Sequence, residues 1–148
     1  MRELRRLLIA AALIGGPGAA LAQVHAAQTG KTEQTAQTAK VPAPPAGASP
    51  QVLSGAQLFQ QHCALCHGAS GRDATVFPRP IWGPGHDIAK FSNAKGLFEY
   101  LQLLMPFDDP AEIDDEAKTA IVAYMMVRNG NLKSAESLPN GGNQAAIR

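Results

Sequence analysis

The stretch CALCH at residues 63–67 decides how this chain folds, because it places two thiols and an imidazole within about one helical turn. The C-x-x-C-H spacing is typical of covalent haem c attachment. Two thiols three residues apart can reach the two vinyl groups of one porphyrin, and the next residue places an imidazole beneath the iron. The sequence therefore predicts one covalent haem, attached through Cys63 and Cys66 and ligated by His67.

Other uses of the cysteine pair fit less well. A thioredoxin-like dithiol expects a βαβ context, which the sequence does not offer. A structural zinc site usually needs a second ligand pair, and the candidates are only His62, His67 and His86. A disulfide between the two cysteines is compatible with export but leaves the adjoining histidine unexplained. Haem is the favoured interpretation.

The first 22 residues have the features of a secretory signal peptide. Three arginines begin it, a short apolar run covers residues 7–14, and Ala20-Leu21-Ala22 offers a small-residue cleavage site. A membrane anchor is the alternative, but the run is short and is followed by glycine and proline. We expect cleavage after about Ala22, export to the periplasm and no membrane span in the mature chain.

Composition divides the rest of the chain. Residues 23–50 are rich in Ala, Thr, Gln and Pro, which predicts a disordered linker. Residues 51–132 form the predicted domain, and residues 133–148 form a polar C-terminal tail. Removal of residues 1–22 leaves ten basic and eleven acidic residues. This balance argues against nucleic acid binding, which needs a basic surface.

Three helices are predicted in the domain, and the sequence shows no strand pattern. Ser54 is a candidate N-cap of the first helix, which runs into the cysteines, and Asn93 is a candidate for the second. Pro106 ends the second helix. Asp114 begins the third, and Gly130 ends it. So small an all-α domain has a thin apolar core, which a haem at its centre would complete.

Around the motif, residues 51–130 resemble bacterial class I cytochromes c. Gly55 and Phe59 match the first-helix pattern of that family, and Tyr124 matches the aromatic residue of its last helix. In the family these two helices cross, with the glycine allowing close approach. The resemblance implies the cytochrome c fold, which has three main helices and long loops around one haem.

The second axial ligand has several candidates. Met105 follows an apolar helix and precedes Pro106, where the chain must turn and can present the thioether to iron. The resemblance also implies this Met-Pro pair. Met125 and Met126 lie inside a helix, where methionine is usually part of the core. His86 lies in a Gly-Pro-Gly-His loop. We expect Met105 to be the ligand.

Two further residues are expected in the haem pocket. The family uses a loop proline carbonyl to accept the hydrogen bond of the histidine ligand, and Pro80 is the best match, with Pro78 and Pro84 as alternatives. Trp82 stands where a small or aliphatic residue is common in the family, and we expect it to pack on the haem or cover its edge.

The resemblance implies a function. With histidine and methionine as ligands, the reduction potential of the haem iron is raised and the iron has no open coordination position. We therefore expect an electron carrier in a periplasmic respiratory or dehydrogenase chain, or the electron-transfer subunit of an oxidoreductase complex, and no catalytic residues. Its partners would be a dehydrogenase, an oxidase or another cytochrome. The alternative is a haem enzyme or a gas or redox sensor in which the methionine is displaceable.

An acidic cluster after Met105 allows two interpretations. It could form a rim that steers a basic partner, or it could stabilise the start of the third helix. The helix interpretation is favoured. The six acidic residues are Asp108, Asp109, Glu112, Asp114, Asp115 and Glu116.

Overall fold

The computed structural model describes residues 41–74 and 76–148. The predicted signal peptide and the first part of the predicted linker, residues 23–40, lie outside the described residues. The described chain contains four α-helices: α1 (Pro50–His62), α2 (Ala64–His67), α3 (Ala94–Leu104) and α4 (Asp115–Arg128). A 3₁₀ helix covers Asp87–Phe91.

The all-α class and the three main helices are confirmed, with the single turn α2 added after α1. Within the described ranges, residues of different segments pair as β-structure only at one isolated bridge, between Asn93 and Ala146. In this part of the chain no helix has both the length and the apolar character needed to cross a membrane.

Helix α1 begins earlier than predicted. Its N-cap is Ser49, whose hydroxyl oxygen accepts a hydrogen bond of 3.3 Å from the Val52 N–H. Pro50 occupies the first helical position, where its missing N–H costs nothing and its fixed φ suits the helix. The predicted N-cap, Ser54, lies exposed inside the helix. The Ser-Pro pair is the stronger start signal, and Ser54 was the wrong choice.

The predicted caps of the other two long helices are confirmed. The Asn93 side chain accepts from the Gly96 N–H at 2.9 Å, and the Asp114 carboxylate accepts from the Ala117 N–H at 2.8 Å. Helix α3 ends at Leu104, just before Pro106. Helix α4 ends in a Schellman turn in which Gly130 has a φ of +79°.

Helices α1 and α4 cross at a glycine. A Cβ added to Gly55 would lie 1.9 Å from the Ala120 carbonyl oxygen, so only glycine permits this approach. Beyond the crossing, the rings of Phe59 and Tyr124 lie 5.8 Å apart, and both are fully buried. The crossing expected from the family resemblance is therefore present, and it positions the end of α1 against α4.

The segment before α1 packs on the helices as far back as Val41. Val41 is buried, and its N–H donates to the side-chain oxygen of Gln60 at 2.6 Å. The Tyr124 hydroxyl donates to the Pro42 carbonyl oxygen at 3.2 Å. The described end of the predicted disordered linker is therefore ordered by these contacts.

The C-terminal segment also packs on the domain, although its composition predicted a polar tail over residues 133–148. Leu138 and Ile147 are buried. The Leu138 N–H donates to the Gln51 side chain at 2.7 Å, and the Ile147 N–H donates to the Ser92 carbonyl at 2.9 Å. Two apolar side chains and these hydrogen bonds suffice to hold a mostly polar segment against α1 and the start of α3.

Candidate haem site

A large apolar cavity lies between the end of α1 and the helices α2, α3 and α4. Its volume is about 650 Å³, within the range of about 300–1,000 Å³ typical of ligand and cofactor sites. Apolar side chains from six segments line most of it. They include Phe59, Val76, Phe77, Ile81, Ile88, Phe91, Leu97, Tyr100, Leu101, Phe107, Ile113, Ile121 and Met125.

One side of the cavity is the cysteine wall, residues 63–67. Cys63 ends α1 by donating its N–H to the Phe59 carbonyl at 3.0 Å, and it also begins the single turn α2. The N–H groups of Cys66 and His67 both donate back to the Cys63 carbonyl oxygen, at 3.2 and 2.9 Å. Cys63, Cys66 and His67 line the cavity, whereas Leu65 between them is 90% exposed.

The two cysteines do not form a disulfide with each other. Burial, with a smaller contribution from the neighbouring Cys66, raises the pKa of the Cys63 thiol to about 12. A redox-active dithiol or a zinc-binding cysteine needs the thiolate, and this environment disfavours it. Within residues 41–74 and 76–148, no group of three His, Cys, Asp or Glu side chains is placed to hold a metal ion.

His67 lies in the wall of the cavity in a form suited to metal ligation. Burial lowers the pKa of its imidazole, an effect that the charge of Asp87 opposes. A neutral imidazole has a free nitrogen lone pair, which is the form that binds metals. The ring stacks on Phe77, with 5.5 Å between centroids. The structure thus brings all three residues of the predicted attachment motif to one cavity.

Met105 also lines the cavity. This residue is the C-cap of α3, where its N–H donates to the Leu101 carbonyl at 3.1 Å, and it is half-buried. The peptide bond to Pro106 is cis. Met125 of α4 also lines the cavity, whereas Met126 and His86 do not. The four candidates for the second ligand are therefore reduced to two at the cavity surface.

The Met105 loop, residues 105–113, is held from two directions. Glu112 lies 3.3 Å from the Nδ1 of His62, so the loop contacts the residue just before the cysteine wall. On the other side, the Nζ of Lys118 donates to the Pro110 carbonyl oxygen at 2.5 Å. Ile113, the last residue of the loop, is buried and lines the cavity.

Trp82 lies outside the cavity, contrary to the sequence-based expectation. It is buried with its ring 5.2 Å from that of Phe59 and 5.7 Å from that of Tyr124, and the Arg128 guanidinium lies 5.8 Å from its centroid. Its carbonyl accepts from Arg72 at 2.5 Å. An aromatic cluster behind the cavity provides more apolar contact than the cavity edge does, and Trp82 completes that cluster.

Pro80 also does not line the cavity. Its carbonyl accepts the N–H of Asp87 at 2.8 Å, which orients it toward the start of the 3₁₀ helix. Of the two alternatives, Pro78 lines the cavity and Pro84 does not. Within this loop, residues 76–79 and Ile81 line the cavity, and Pro80 between them does not.

Several cavity residues escaped sequence reasoning because they lie in loops without a helical period. Phe77 and Phe107 are the clearest examples, and both are exposed. The available signal was an apolar side chain in an otherwise polar or Gly/Pro-rich loop, since such a residue needs a partner to cover it. Arg79 and Lys90 line the cavity too, with Arg79 lying 3.4 Å from Asp87.

The acidic cluster after Met105 is mostly accounted for by local structure. Asp114 caps α4, and Asp115 and Glu116 lie in its first turn, where the helix dipole favours negative charge. Asp109 accepts the Ala111 N–H at 2.9 Å, and Glu112 contacts His62. Asp108 alone of the six lines the cavity. These contacts support the helix interpretation of the cluster.

The donor set and the cavity fit a haem. The walls are apolar, as a porphyrin ring requires, and two thiols with an adjacent imidazole occupy one side. Met105, which carries a thioether, is also among the lining residues, and two basic side chains, Arg79 and Lys90, stand at the cavity surface where a cofactor with carboxylate groups could be neutralised. Zinc or dithiol chemistry would use none of the apolar volume.

Two solved structures are similar to this chain, and the first of them supports the fold. The sulfane dehydrogenase SoxCD from Paracoccus pantotrophus matches over 66% of this chain and 53% of its own, with 22% identity and a TM-score of 0.50. The thiosulfate dehydrogenase TsdBA from Marichromatium purpuratum, in its as-isolated form, matches 58% of this chain with 27% identity and a TM-score of 0.42. This chain spans 20% of the latter and about half of the former.

Family comparison covers the region that contains the cavity. No curated protein matches the sequence. A family model described as cytochrome c oxidase, cbb3-type, subunit III matches residues 50–125, a region that runs from the start of α1 into α4 and includes Cys63, Cys66, His67 and Met105. The chain therefore belongs to this family of c-type cytochrome domains, whose members carry covalent haem and transfer electrons.

Proposed function

We propose that this chain is an exported monohaem cytochrome c that transfers single electrons, with its haem attached through Cys63 and Cys66 and its iron ligated by His67 and Met105. The observation that carries the proposal is the cavity itself, whose lining includes the two thiols, the imidazole and Met105. When bound, the haem supplies a one-electron Fe(III)/Fe(II) couple.

The residues around the cavity suit electron transfer better than catalysis on a substrate. With His67 and Met105 both ligating, neither axial position is open to a substrate. The apolar lining disfavours the additional positive charge of the ferric state and so raises the potential. A neutral thioether ligand acts in the same direction. The chain's role is then to hold the cofactor rigidly and exclude water from it.

An absorption spectrum of the protein, purified from a haem-maturing host, tests the proposal directly. We expect sharp bands in the ferrous protein and a weak Met-to-iron charge-transfer band in the ferric protein. Carbon monoxide binding to the ferrous protein at neutral pH would instead favour the haem enzyme or sensor with a displaceable methionine. A purified protein without a Soret band would refute haem binding altogether.

Substitution of the two cavity methionines separates the candidate ligands. Met105→His should keep a low-spin haem but lose the charge-transfer band and lower the potential by the order of 0.1 V, since axial ligands spread haem potentials over about 0.8 V. Met125→Leu should keep the band. Met126→Leu, which is buried outside the cavity, is the matched control. Loss of the band in Met125→Leu alone would transfer the ligand role to Met125.

Periplasmic location and redox partners belong to the same proposal. Support comes from the signal-like residues 1–22 and from the covalent attachment motif. The partner would be a dehydrogenase, an oxidase or another cytochrome. Cell fractionation with N-terminal sequencing of the haem-containing protein tests the location, and we expect a mature N-terminus at about Gln23. A cytoplasmic haem protein with residues 1–22 intact would contradict it.

A further inference from the structure

Lys118 lies at a buried position of α4, where an apolar residue is expected. It is only 3% exposed, and it precedes the fully buried run of α4 that continues through Met126. Residues 118, 121 and 125 are spaced three and seven apart, so Lys118 shares a helix face with Ile121 and Met125. Those two residues line the haem cavity. Lys118 thus continues the cavity-facing stripe of α4.

The head group of Lys118 has one partner, and that partner belongs to the Met105 loop. Side chains on a helix lean toward its N-terminus, which carries the Lys118 stem back over the residues preceding α4. There its Nζ donates to the Pro110 carbonyl oxygen at 2.5 Å. Among residues 41–74 and 76–148, no carboxylate forms an ion pair with Lys118.

Burying an amino group costs free energy unless it is well paired, and lysine is rarely found so deeply buried. A methionine or leucine at position 118 would continue the apolar stripe at no such cost. What lysine adds is a directed hydrogen bond to a loop carbonyl five residues after Met105. Without it, residues 106–112 would keep, among the described residues, one hydrogen bond or ion pair to a residue outside the loop, the partly exposed contact of Glu112 with His62.

We propose that Lys118 is a positioning residue for the second axial ligand: by fixing the Pro110 carbonyl, it holds the Met105 loop so that the thioether stays at the iron. The proposal rests on the proposed function, in which Met105 is that ligand. Lys118 itself touches neither the cofactor nor the iron ligand. Its contribution is to make the methionine harder to displace.

The test compares Lys118→Met with the wild-type holoprotein. Methionine keeps the length and apolar stem of lysine but removes the donor. Imidazole added to the ferric protein must displace Met105, so its apparent affinity reports how firmly the loop holds the ligand. We expect imidazole to bind about tenfold more tightly to the variant, which corresponds to the loss of one hydrogen bond. Hydrogen exchange in residues 106–113 should also become faster.

Two measurements distinguish positioning from a general structural role. A structural lysine would lower the denaturation midpoint and leave imidazole affinity unchanged. If Lys118 is a positioning residue, its replacement by methionine raises imidazole affinity while the denaturation midpoint stays at or above that of the wild type, because a buried amino group has been removed. Lys133→Met, an exposed lysine of the C-terminal segment, is the matched control and should leave both values unchanged.

Each outcome decides the proposal. Equal imidazole affinity in wild type, Lys118→Met and Lys133→Met would overturn it. If Lys118→Met gives no folded holoprotein, Lys118→Gln is judged by the same criteria. A wild-type protein without the Met-to-iron band would overturn the Met105 assignment of the proposed function instead. Hydrogen exchange in residues 106–113 would then still test whether Lys118 holds this loop. A hydrogen-exchange rate that is the same in the wild type and in Lys118→Met would overturn that contact too.

Discussion

The two sides of the haem cavity are built in different ways. The cysteine wall is five consecutive residues whose hydrogen bonds stay within the wall or reach the preceding turn of α1. The Met105 loop is nine residues held by side chains outside it, from His62 in α1 about fifty residues earlier and from Lys118 in α4, eight residues after Pro110. One side is a local structure, and the other depends on the tertiary fold.

This difference has a physical consequence for each side. The cysteine wall needs only a helix end and one further turn, so short-range hydrogen bonds fix the orientation of its thiols and imidazole. The Met105 loop needs α1, α3 and α4 to be in place before its contacts can form. We therefore expect changes within the wall to abolish haem attachment, and changes around the loop to alter the second ligand and the stability.

The largest effect is expected from breaking the cysteine wall. Cys63→Ser removes one of the two attachment thiols, so at most one thioether bond can form, and most of the covalent holoprotein should be lost. Intact-protein mass and the haemochrome spectrum measure this. Leu65→Ser is the matched control because it places the same serine in the wall at an exposed position. Equal yields of fully attached haem in the two variants would contradict the assignment.

The next largest effect comes from forcing apart the helices that position the two sides. Gly55→Ala places a Cβ where the Ala120 carbonyl oxygen lies 1.9 Å away. Alanine favours a helix over glycine by about 1 kcal/mol, but overpacking costs about 1–3 kcal/mol and more against backbone. We expect a net loss of about 3 kcal/mol in the free energy of unfolding, measured by urea denaturation.

The control for this variant lies one residue away. Ser54→Ala changes an exposed position of the same helix and should shift the free energy of unfolding by less than about 0.5 kcal/mol. If Gly55→Ala were as stable as Ser54→Ala, the close approach of α1 to α4 would be wrong. The cysteine wall would then not owe its position to this crossing.

Sequence reasoning succeeded where the signal is local. The Asn93 and Asp114 caps and the Gly130 stop each depend on residues within one turn of the chain, and the structure confirms all three. The start of α1 shows the limit of this approach. Ser49 and Ser54 are both acceptable N-cap residues, and only Pro50 beside the first of them distinguishes the two.

Sequence-based prediction failed where a side chain has two possible sets of partners in the folded chain. Trp82 could cover a haem edge or join Phe59 and Tyr124, and nothing in its neighbourhood along the chain decides between them. Leu138 is a single apolar residue in a polar segment, so no period marks it as buried. Lys118 misleads in the opposite direction. A lysine in a helix is expected on an exposed face, but Lys118 is buried.

A smaller effect is expected from a substitution in the aromatic cluster behind the cavity, where Tyr124 packs against Phe59 and Trp82. Tyr124→Phe removes the hydroxyl that donates to the Pro42 carbonyl and should cost about 1 kcal/mol at pH 7. Burial raises the pKa of Tyr124 above its usual value, and Arg128 opposes this. Tyr124 therefore ionises at a lower pH in the unfolded protein than in the folded protein. The wild type then loses the stability contributed by this hydroxyl as the pH rises above about 10.

The cost of Tyr124→Phe should accordingly shrink between pH 8 and pH 11 and can reverse in sign. Urea denaturation at both pH values measures it. Tyr100→Phe removes the hydroxyl of the only other tyrosine, on α3, and should keep the wild-type alkaline loss. A Tyr124→Phe cost that is the same at both pH values would show that the hydroxyl is not buried. The ferric Met-to-iron band at pH 7 should be unchanged.

The smallest effect is expected from the contact that joins the two sides directly. Glu112→Gln keeps the size and hydrogen-bonding atoms of the side chain but removes its charge beside His62. Because the Glu112 side chain is about half exposed, water screens the pair, and exposed pairs contribute about 0.2–1 kcal/mol. We expect a loss of about 0.5 kcal/mol in the free energy of unfolding at low salt, which vanishes near 1 M salt.

The informative comparison is with Glu99→Gln, which breaks a pair with Lys95 within one turn of α3. Both variants should change global stability little. Only Glu112→Gln should speed hydrogen exchange in the Met105 loop, because its partner His62 lies outside the loop in α1, whereas Glu99 and Lys95 lie on the same helix. Equal loop exchange in the two variants would mean that the loop is held by Lys118 and Ile113 alone. The His62 contact would then connect the two sides without stabilising either of them.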